Sequence, residues 1–309
     1  MLPHLTRFAR WCVPALVKAA VAIAVTSAMT AWPAAAQSPA PAGRSFLWRV
    51  QSATGVLYLA GSVHALGASA YPLSAAFEQA FDASRTLVEE IDLAEADMLT
   101  TGPLLLSKGM YQDGRTFDLV VSADTAKLIA DRLKDSPLSM DLLRPMKPWM
   151  VNLMLSAIEM QKAGLDPAMG LDKHFFDRAT AGGKTVVGLE TAASQIDRLD
   201  RMPEAVQEQM LLGTIRDSDA ARGSLSTLVT AWQRGDAVAM EKIVLAGFSE
   251  FPGAYTSLIV ERNRNWMPRL EACLTQGSAC FVVVGAAHLV GPDGLLANLE
   301  RRGYRLEQR

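Results

Sequence analysis

Much of the usual catalytic vocabulary is missing from this sequence. It has no His-Glu-x-x-His helix of the zinc-protease type, no Gly-x-Ser-x-Gly elbow, no phosphate loop and no dinucleotide fingerprint. No Lys/Arg cluster is present, and that argues against nucleic acid as the main partner. Beyond the N-terminal segment, no stretch is long and apolar enough to span a membrane. Cysteine and histidine are both scarce, with three and four residues in 309. The two cysteines far from the N-terminus, Cys273 and Cys280, are not spaced as a metal motif.

The N-terminal segment has its own character. Met1 to Lys18 carries Arg7, Arg10 and Lys18 and no acid, Ala19 to Ala31 is an uncharged small-residue run, and Ala34-Ala35-Ala36 fits a small-x-small cleavage site. Residues 1–36 therefore read as a secretory signal peptide, which makes the mature chain exported, with the periplasm as its expected place. A signal anchor left uncleaved is the rival reading, and the only route by which a membrane would be a partner. Cys12 precedes the apolar run, so it cannot become a lipid-bearing first residue. The mature chain keeps 27 basic against 32 acidic residues, enough length for a substantial core, and a mildly acidic balance. In an exported protein Cys273 and Cys280 can close a short disulfide loop; two unpaired thiols are the alternative.

Two of the four histidines occupy a repeated position. Val56-Leu57-Tyr58-Leu59-Ala60 is an apolar run of strand type that leads into Gly61-Ser62-Val63-His64. Phe281-Val282-Val283-Val284 leads in the same way into Gly285-Ala286-Ala287-His288. His64-Ala65-Leu66-Gly67 is answered by His288-Leu289-Val290-Gly291, and a proline (Pro72, Pro292), an apolar helical stretch and a further strand follow each. A glycine three before each histidine lets the backbone turn tightly, or leaves room for a ligand or a neighbouring backbone.

The rest of the chain reads as strands among helices. Residues 37–45 form a Pro/Ala linker. Phe46–Gln51 and Val56–Ala60 flank a turn at Ser52 to Gly55, as in a hairpin. Leu73 to Phe81 has helical spacing, Thr86 to Ile91 reads as a strand, and so do Lys184 to Leu189 and Tyr304 to Glu307. Between about 95 and 275 the pattern is mostly helical. One helix opens at Pro148 and ends before Gly164, with a Trp/Met side (Trp149, Met150, Leu153, Met154) that reads as core packing rather than a peptide groove. Leu171 to Thr180 forms another, stopped by Gly182-Gly183. Pro268 marks a break or a new first turn. The expected fold is α/β: a central mixed sheet built from two related Gly-x-x-His halves in a domain over 46–309, with a large helical insertion at about 95–275.

In such sheets ligands sit outside the carboxyl ends of strands. His64, Glu90 and His288 are expected there, with Glu190 as a fourth candidate. Two imidazoles and a carboxylate can hold a divalent ion with positions left for water and substrate, and Glu90 or Glu190 can act as ligand or general base. Glu89 reads as a solvent-facing neighbour and Asp92 as a turn or cap residue. His174 sits in a helical region, and nothing places Ser62 as a nucleophile. Arg262, Asn263 and Trp266 share a helical side; Arg262 can bind a substrate carboxylate or orient Glu90, or simply form a surface ion pair.

These pieces resemble the TraB/PrgY/GumN family, which includes the Tiki metalloproteases. The resemblance is carried by Tyr58-Leu59-Ala60-Gly61-Ser62-Val63-His64, Glu90-Ile91-Asp92-Leu93, Gly188-Leu189-Glu190-Thr191, Glu261-Arg262-Asn263 and Val284-Gly285-Ala286-Ala287-His288-Leu289-Val290-Gly291-Pro292-Asp293-Gly294. The exported, single-domain GumN-like branch fits best. The resemblance implies a fold like that of the erythromycin-esterase and ChaN-like group. It implies His64 and His288 as metal ligands, Glu90 as the carboxylate of the site, Arg262 and Asn263 as polar supports, and a divalent ion such as manganese, cobalt or zinc. Asn263 and Glu190 are the residues expected toward a peptide or small-molecule substrate. The expected function is a metal-dependent hydrolase, most of all a peptidase. The alternative is a non-catalytic periplasmic protein of the same fold that binds a metal, a haem-like ligand or a peptide.

Overall fold

The structure, a computed structural model, describes residues 43–309 except 97–99, 135–137, 217 and 276. The expected signal peptide and residues 37–42 of the linker lie outside the described residues. Six strands form one mixed sheet: β1 (Leu47–Gln51), β2 (Val56–Ser62), β3 (Thr86–Ile91), β4 (Thr185–Glu190), β5 (Cys280–Gly285) and β6 (Arg305–Gln308), in the order β4-β3-β5-β2-β1-β6. β4, β3, β5 and β2 run parallel. β1 is antiparallel to both β2 and β6.

The sequence explains these roles. β5 is an unbroken apolar run, every residue of it is buried, and it lies near the middle of the sheet with parallel neighbours on both sides, as a strand covered on both faces must. β1 and β2 close as the expected hairpin. Ser52 ties that turn: its Oγ accepts from the Gly55 amide (2.9 Å) and donates to the Leu274 carbonyl (2.6 Å). Successive parallel strands that are not neighbours need crossovers, and helices supply them. Ala75–Asp82 links β2 to β3, and Leu295–Arg301 links β5 to β6. The long helical stretch between β3 and β5 leaves the sheet only in part, because β4 lies within it and pairs with β3.

Aromatic packing seats one face. Phe81 of the Ala75–Asp82 helix, Phe175 of the Leu171–Ala181 helix and Phe281 of β5 meet with ring centroids 4.6–5.6 Å apart. The Leu171–Ala181 helix ends at Gly182-Gly183 as expected, with Gly183 at φ +66° and the Lys184 amide bonded to the Ala179 carbonyl (2.9 Å). On the Pro148–Lys162 helix Trp149, Met150, Leu153 and Met154 are all buried, so that stripe is core and no groove.

The helix Glu261–Cys273 departs from expectation. It runs through Pro268 without a break. Arg264, whose carbonyl the proline leaves without its helical donor, and Pro268 itself are both exposed, so water can satisfy the carbonyl while Trp266, Met267 and Leu270 keep the inner face buried. A π-helical segment, Thr256–Val260, precedes this helix. At its other end Cys273 is disulfide-bonded to Cys280, the first residue of β5, with a Cα–Cα distance of 5.9 Å.

Candidate functional site

Strand direction assembles the site. β2, β3, β4 and β5 all end at one edge of the sheet, and the residues at or just past those ends are His64, Glu90, Glu190 and His288. β2 and β5 are neighbours, in a register that sets Ser62 opposite Gly285. Both imidazoles face the same carboxylate: His64 Nε2 and His288 Nε2 each lie 3.8 Å from Glu90 Oε1.

The two glycines of the repeat serve different ends. Gly285 has φ −49° and ψ 135°, open to any residue, so it is needed for space rather than for a turn. A Cβ there would stand 2.9 Å from His64 Nε2, 3.2 Å from Glu90 Oε1 and 3.6 Å from His288 Cδ2. Gly285 thus keeps the centre of the site open, and its amide donates to Glu90 Oε1 (2.7 Å). Gly61 makes room for the core instead, since a Cβ would lie 2.3 Å from the Phe46 ring.

Each histidine is held by its other nitrogen. His288 Nδ1 is 2.7 Å from Asn263 Oδ1, while Asn263 Nδ2 donates to the carbonyls of His288 (3.1 Å) and Asp293 (2.9 Å). Those two carbonyls fix the amide orientation, so Oδ1 accepts, Nδ1 carries the proton and the Nε2 lone pair faces the site. His64 Nδ1 donates to Asp172 Oδ2 (2.9 Å), which also accepts the Ser62 hydroxyl (2.5 Å). The Ser62 hydroxyl is thus a second donor to Asp172, buried within the group that holds His64.

Arg262 binds the carboxylates together. Its Nη2 donates to Glu90 Oε2, its Nε donates to Glu190 Oε1 (2.7 Å), and its Nη1 donates to His288 Nε2 (2.9 Å) and to the Leu258 carbonyl of the π-helical segment (3.2 Å). Gln195 Nε2 also bridges Glu90 (3.2 Å) and Glu190 (3.0 Å). Behind them the Trp266 ring lies 4.5 Å from the His288 ring and 4.7 Å from the Arg262 guanidinium. Arg262 is 4% exposed and Asn263 0%, so the arginine is no surface ion pair and the asparagine positions His288 rather than reaching outward.

The electrostatics follow from burial and these partners. Burial alone would raise the Glu90 pKa; Arg262, the two histidines and the Gly285 amide outweigh it and bring it to about 2. Burial alone would lower His64; the charge and hydrogen bond of Asp172, helped by Glu90, raise it to about 9. Burial and the Arg262 charge hold His288 well below the usual histidine range. Glu89 was expected toward solvent but is 2% exposed, on the opposite face of β3 from Glu90. Neither of its carboxyl oxygens has a hydrogen-bond partner. Burial, then Asp172, Asp92 and Glu90, raise its pKa well above the carboxylate range.

His64, Glu90, Glu190, Arg262, Asn263 and His288 thus meet in one network. His174 stays outside it, packed on Tyr71 and Phe175. Asp172 and Gln195 were missed. Asp172 stands in the first turn of a helix, where an acid is ordinary, and Gln195 sits within a helix. Nothing in either local pattern marks a site residue.

The family resemblance implies a metal ion, and the donor chemistry fits one. Two imidazole nitrogens and a carboxylate oxygen converge, and even with His64 protonated, as its raised pKa makes it at neutral pH, Glu90, Glu190 and Asp172 outnumber the Arg262 and His64 charges by one. Among the described residues, however, no group of three or more His, Cys, Asp or Glu side chains is drawn together as a metal-holding cluster. His288 Nε2 is instead engaged by Arg262.

A family model, TraB/PrgY/gumN family, matches residues 46–308. The chain belongs to the TraB/PrgY/gumN family. It is similar to "Uncharacterized protein YbaP" of Escherichia coli (strain K12), 27% identical over 147 residues, which are 48% of this chain and 54% of that protein. The protein of the same description from Shigella flexneri gives the same figures. The chain spans about half the length of these curated relatives. No solved structure matches. The matched family region takes in the whole sheet and every residue of the network just described.

Proposed function

We propose that this chain is an exported, metal-dependent hydrolase of the family's GumN-like, Tiki-related kind, with peptides as substrates. The observation that carries the reading is the convergence of His64 Nε2 and His288 Nε2 on Glu90 Oε1, each nitrogen presented by a partner on the far side of its ring. His64, His288 and Glu90 would hold a divalent ion, manganese, cobalt or zinc. When bound, such an ion polarises a carbonyl and lowers the pKa of its water.

The chain's own residues prepare that chemistry. Asp172 and Asn263 fix the two rings. Glu90, held near pKa 2, is suited to binding a cation and poorly suited to taking a proton, so it serves as ligand rather than base. Glu190 holds Arg262. A non-catalytic protein that binds a metal, a haem-like ligand or a peptide is the second reading. It is favoured by the fact that Arg262 already satisfies Glu90 and His288.

The test is metal content by mass spectrometry on the full chain, purified without chelator or nickel. It is compared with a His64→Ala, His288→Ala double variant after equal exposure to manganese, cobalt and zinc. About one ion per chain, lost in the folded variant, followed by metal-dependent cleavage in a peptide library, is the expected result. A retained ion with no cleavage after long incubation would leave the binding reading. Cleavage that survives rigorous metal removal would refute the mechanism.

A further inference from the structure

We propose that Arg262 is the resident cation of this site and competes with the metal ion for His288. Loading the ion would then require the guanidinium to release the imidazole. The inference rests on the metal reading above and concerns how that same site is filled.

The argument starts from one lone pair. His288 Nε2 has a single acceptor position, and Arg262 Nη1 donates into it at 2.9 Å. The ring cannot offer its other nitrogen by turning over. Nδ1 is bonded to Asn263 Oδ1 at 2.7 Å, and the Asn263 amide is locked by the carbonyls of His288 and Asp293. An ion and the guanidinium therefore exclude each other at that nitrogen. On the Glu90 side they also answer the same charge, because Arg262 Nη2 is bonded to Glu90 Oε2.

The surroundings let the arginine yield without being orphaned. Arg262 is 4% exposed, so a displaced guanidinium needs buried acceptors. Two lie away from the histidine: Glu190 Oε1, reached by Nε at 2.7 Å, and the Leu258 carbonyl, reached by Nη1 at 3.2 Å. Gln195 Nε2, already 3.2 Å from Glu90 Oε2, keeps a donor on that oxygen. The π-helical segment Thr256–Val260 puts the Leu258 carbonyl one turn before Arg262, and such segments often occur where a helix serves a site. Glu190 accordingly becomes a positioning residue, the carboxylate that receives the arginine once the ion is in place.

The sign of one substitution decides the matter. Removing an outer partner that supports a metal ligand weakens binding by about 10–100-fold; removing a competitor tightens it. The experiment titrates manganese, cobalt and zinc into the metal-stripped full chain and its Arg262→Gln variant by competition with a chromophoric chelator, and records melting temperatures with and without each ion. Arg262→Gln should bind roughly 10-fold or more tightly, melt lower without metal and gain more from metal than wild type. Weaker or unchanged binding in Arg262→Gln would overturn the proposal while leaving the metal site standing. No binding by either protein would overturn both readings. If Arg262→Gln fails to fold, Glu190→Gln provides the second test. By removing the charge that receives the displaced arginine it should weaken ion binding, and unchanged or tighter binding there would overturn the proposal.

Discussion

Replacing each glycine of the repeat by alanine separates its work in the core from its work in the site. In Gly285→Ala the new methyl stands 2.9 Å from His64 Nε2 and 3.2 Å from Glu90 Oε1. The backbone needs no change, since φ −49° and ψ 135° suit alanine. All the strain therefore falls on the side chains of the network. In Gly61→Ala the methyl lies 2.3 Å from Phe46 Cδ1, a fully buried ring, and 3.2 Å from the Ala286 Cα. Overpacking of either kind costs about 1–3 kcal/mol. For a chain of this size that is a fall in Tm of roughly 2–4 °C per kcal/mol. The assay is thermal unfolding of wild type and both variants, with and without manganese, cobalt or zinc, alongside bound-metal content. Both variants should melt lower, and only Gly285→Ala should lose its metal-dependent rise. A Gly285→Ala protein that keeps wild-type metal content would refute the placement of the site between the two histidines and Glu90.

Three further outcomes follow from the same geometry. Asp172→Asn removes the charge that raises His64, so the His64 pKa should fall from about 9 and metal binding should weaken by about 10–100-fold; histidine NMR titration and chelator competition check both. His64, raised in the folded state, contributes stability that is full below about pH 6.5 and lost as pH rises through about 9; Glu90, lowered, contributes stability present above about pH 4.5 and lost as pH falls toward 2. Tm against pH should fall on both sides, His64→Gln should flatten the alkaline limb, and an unchanged limb would rule out the His64–Asp172 pair as its origin. Replacing Cys273 and Cys280 by alanine should cost about 2–3 kcal/mol by the loop-entropy estimate for a bridge of sequence separation 7, measured as a fall in denaturation midpoint against the oxidised protein.

The strands were legible because their signals are local. β5 is an apolar run long enough to fill a doubly covered strand, and β3 and β4 each open on a short run of Thr, Val and Leu that leads to a glutamate at or next to the strand end. Helix ends at Pro148 and Gly182-Gly183 were equally local. The site was legible where the sequence repeats itself, at His64 and His288. The remaining partners were chosen by the fold. Spacing alone favoured a surface ion pair for Arg262; what buries it is the helix Glu261–Cys273 lying against the sheet edge. Period-two alternation could not say which of Glu89 and Glu90 turns toward the histidines, because both faces of β3 are covered.

Sequence by itself determined the strands, the two histidine positions and the family, since each rests on residue types within a few positions of one another. Tertiary structure alone decided that Asp172, 108 residues from His64, holds its ring, that Gln195 joins Glu90 to Glu190, and that Arg262 takes the lone pair of His288. Those contacts come from the strand order β4-β3-β5-β2, which brings four distant strand ends to one edge. A strand's pattern states that it is buried and carries no record of its neighbour.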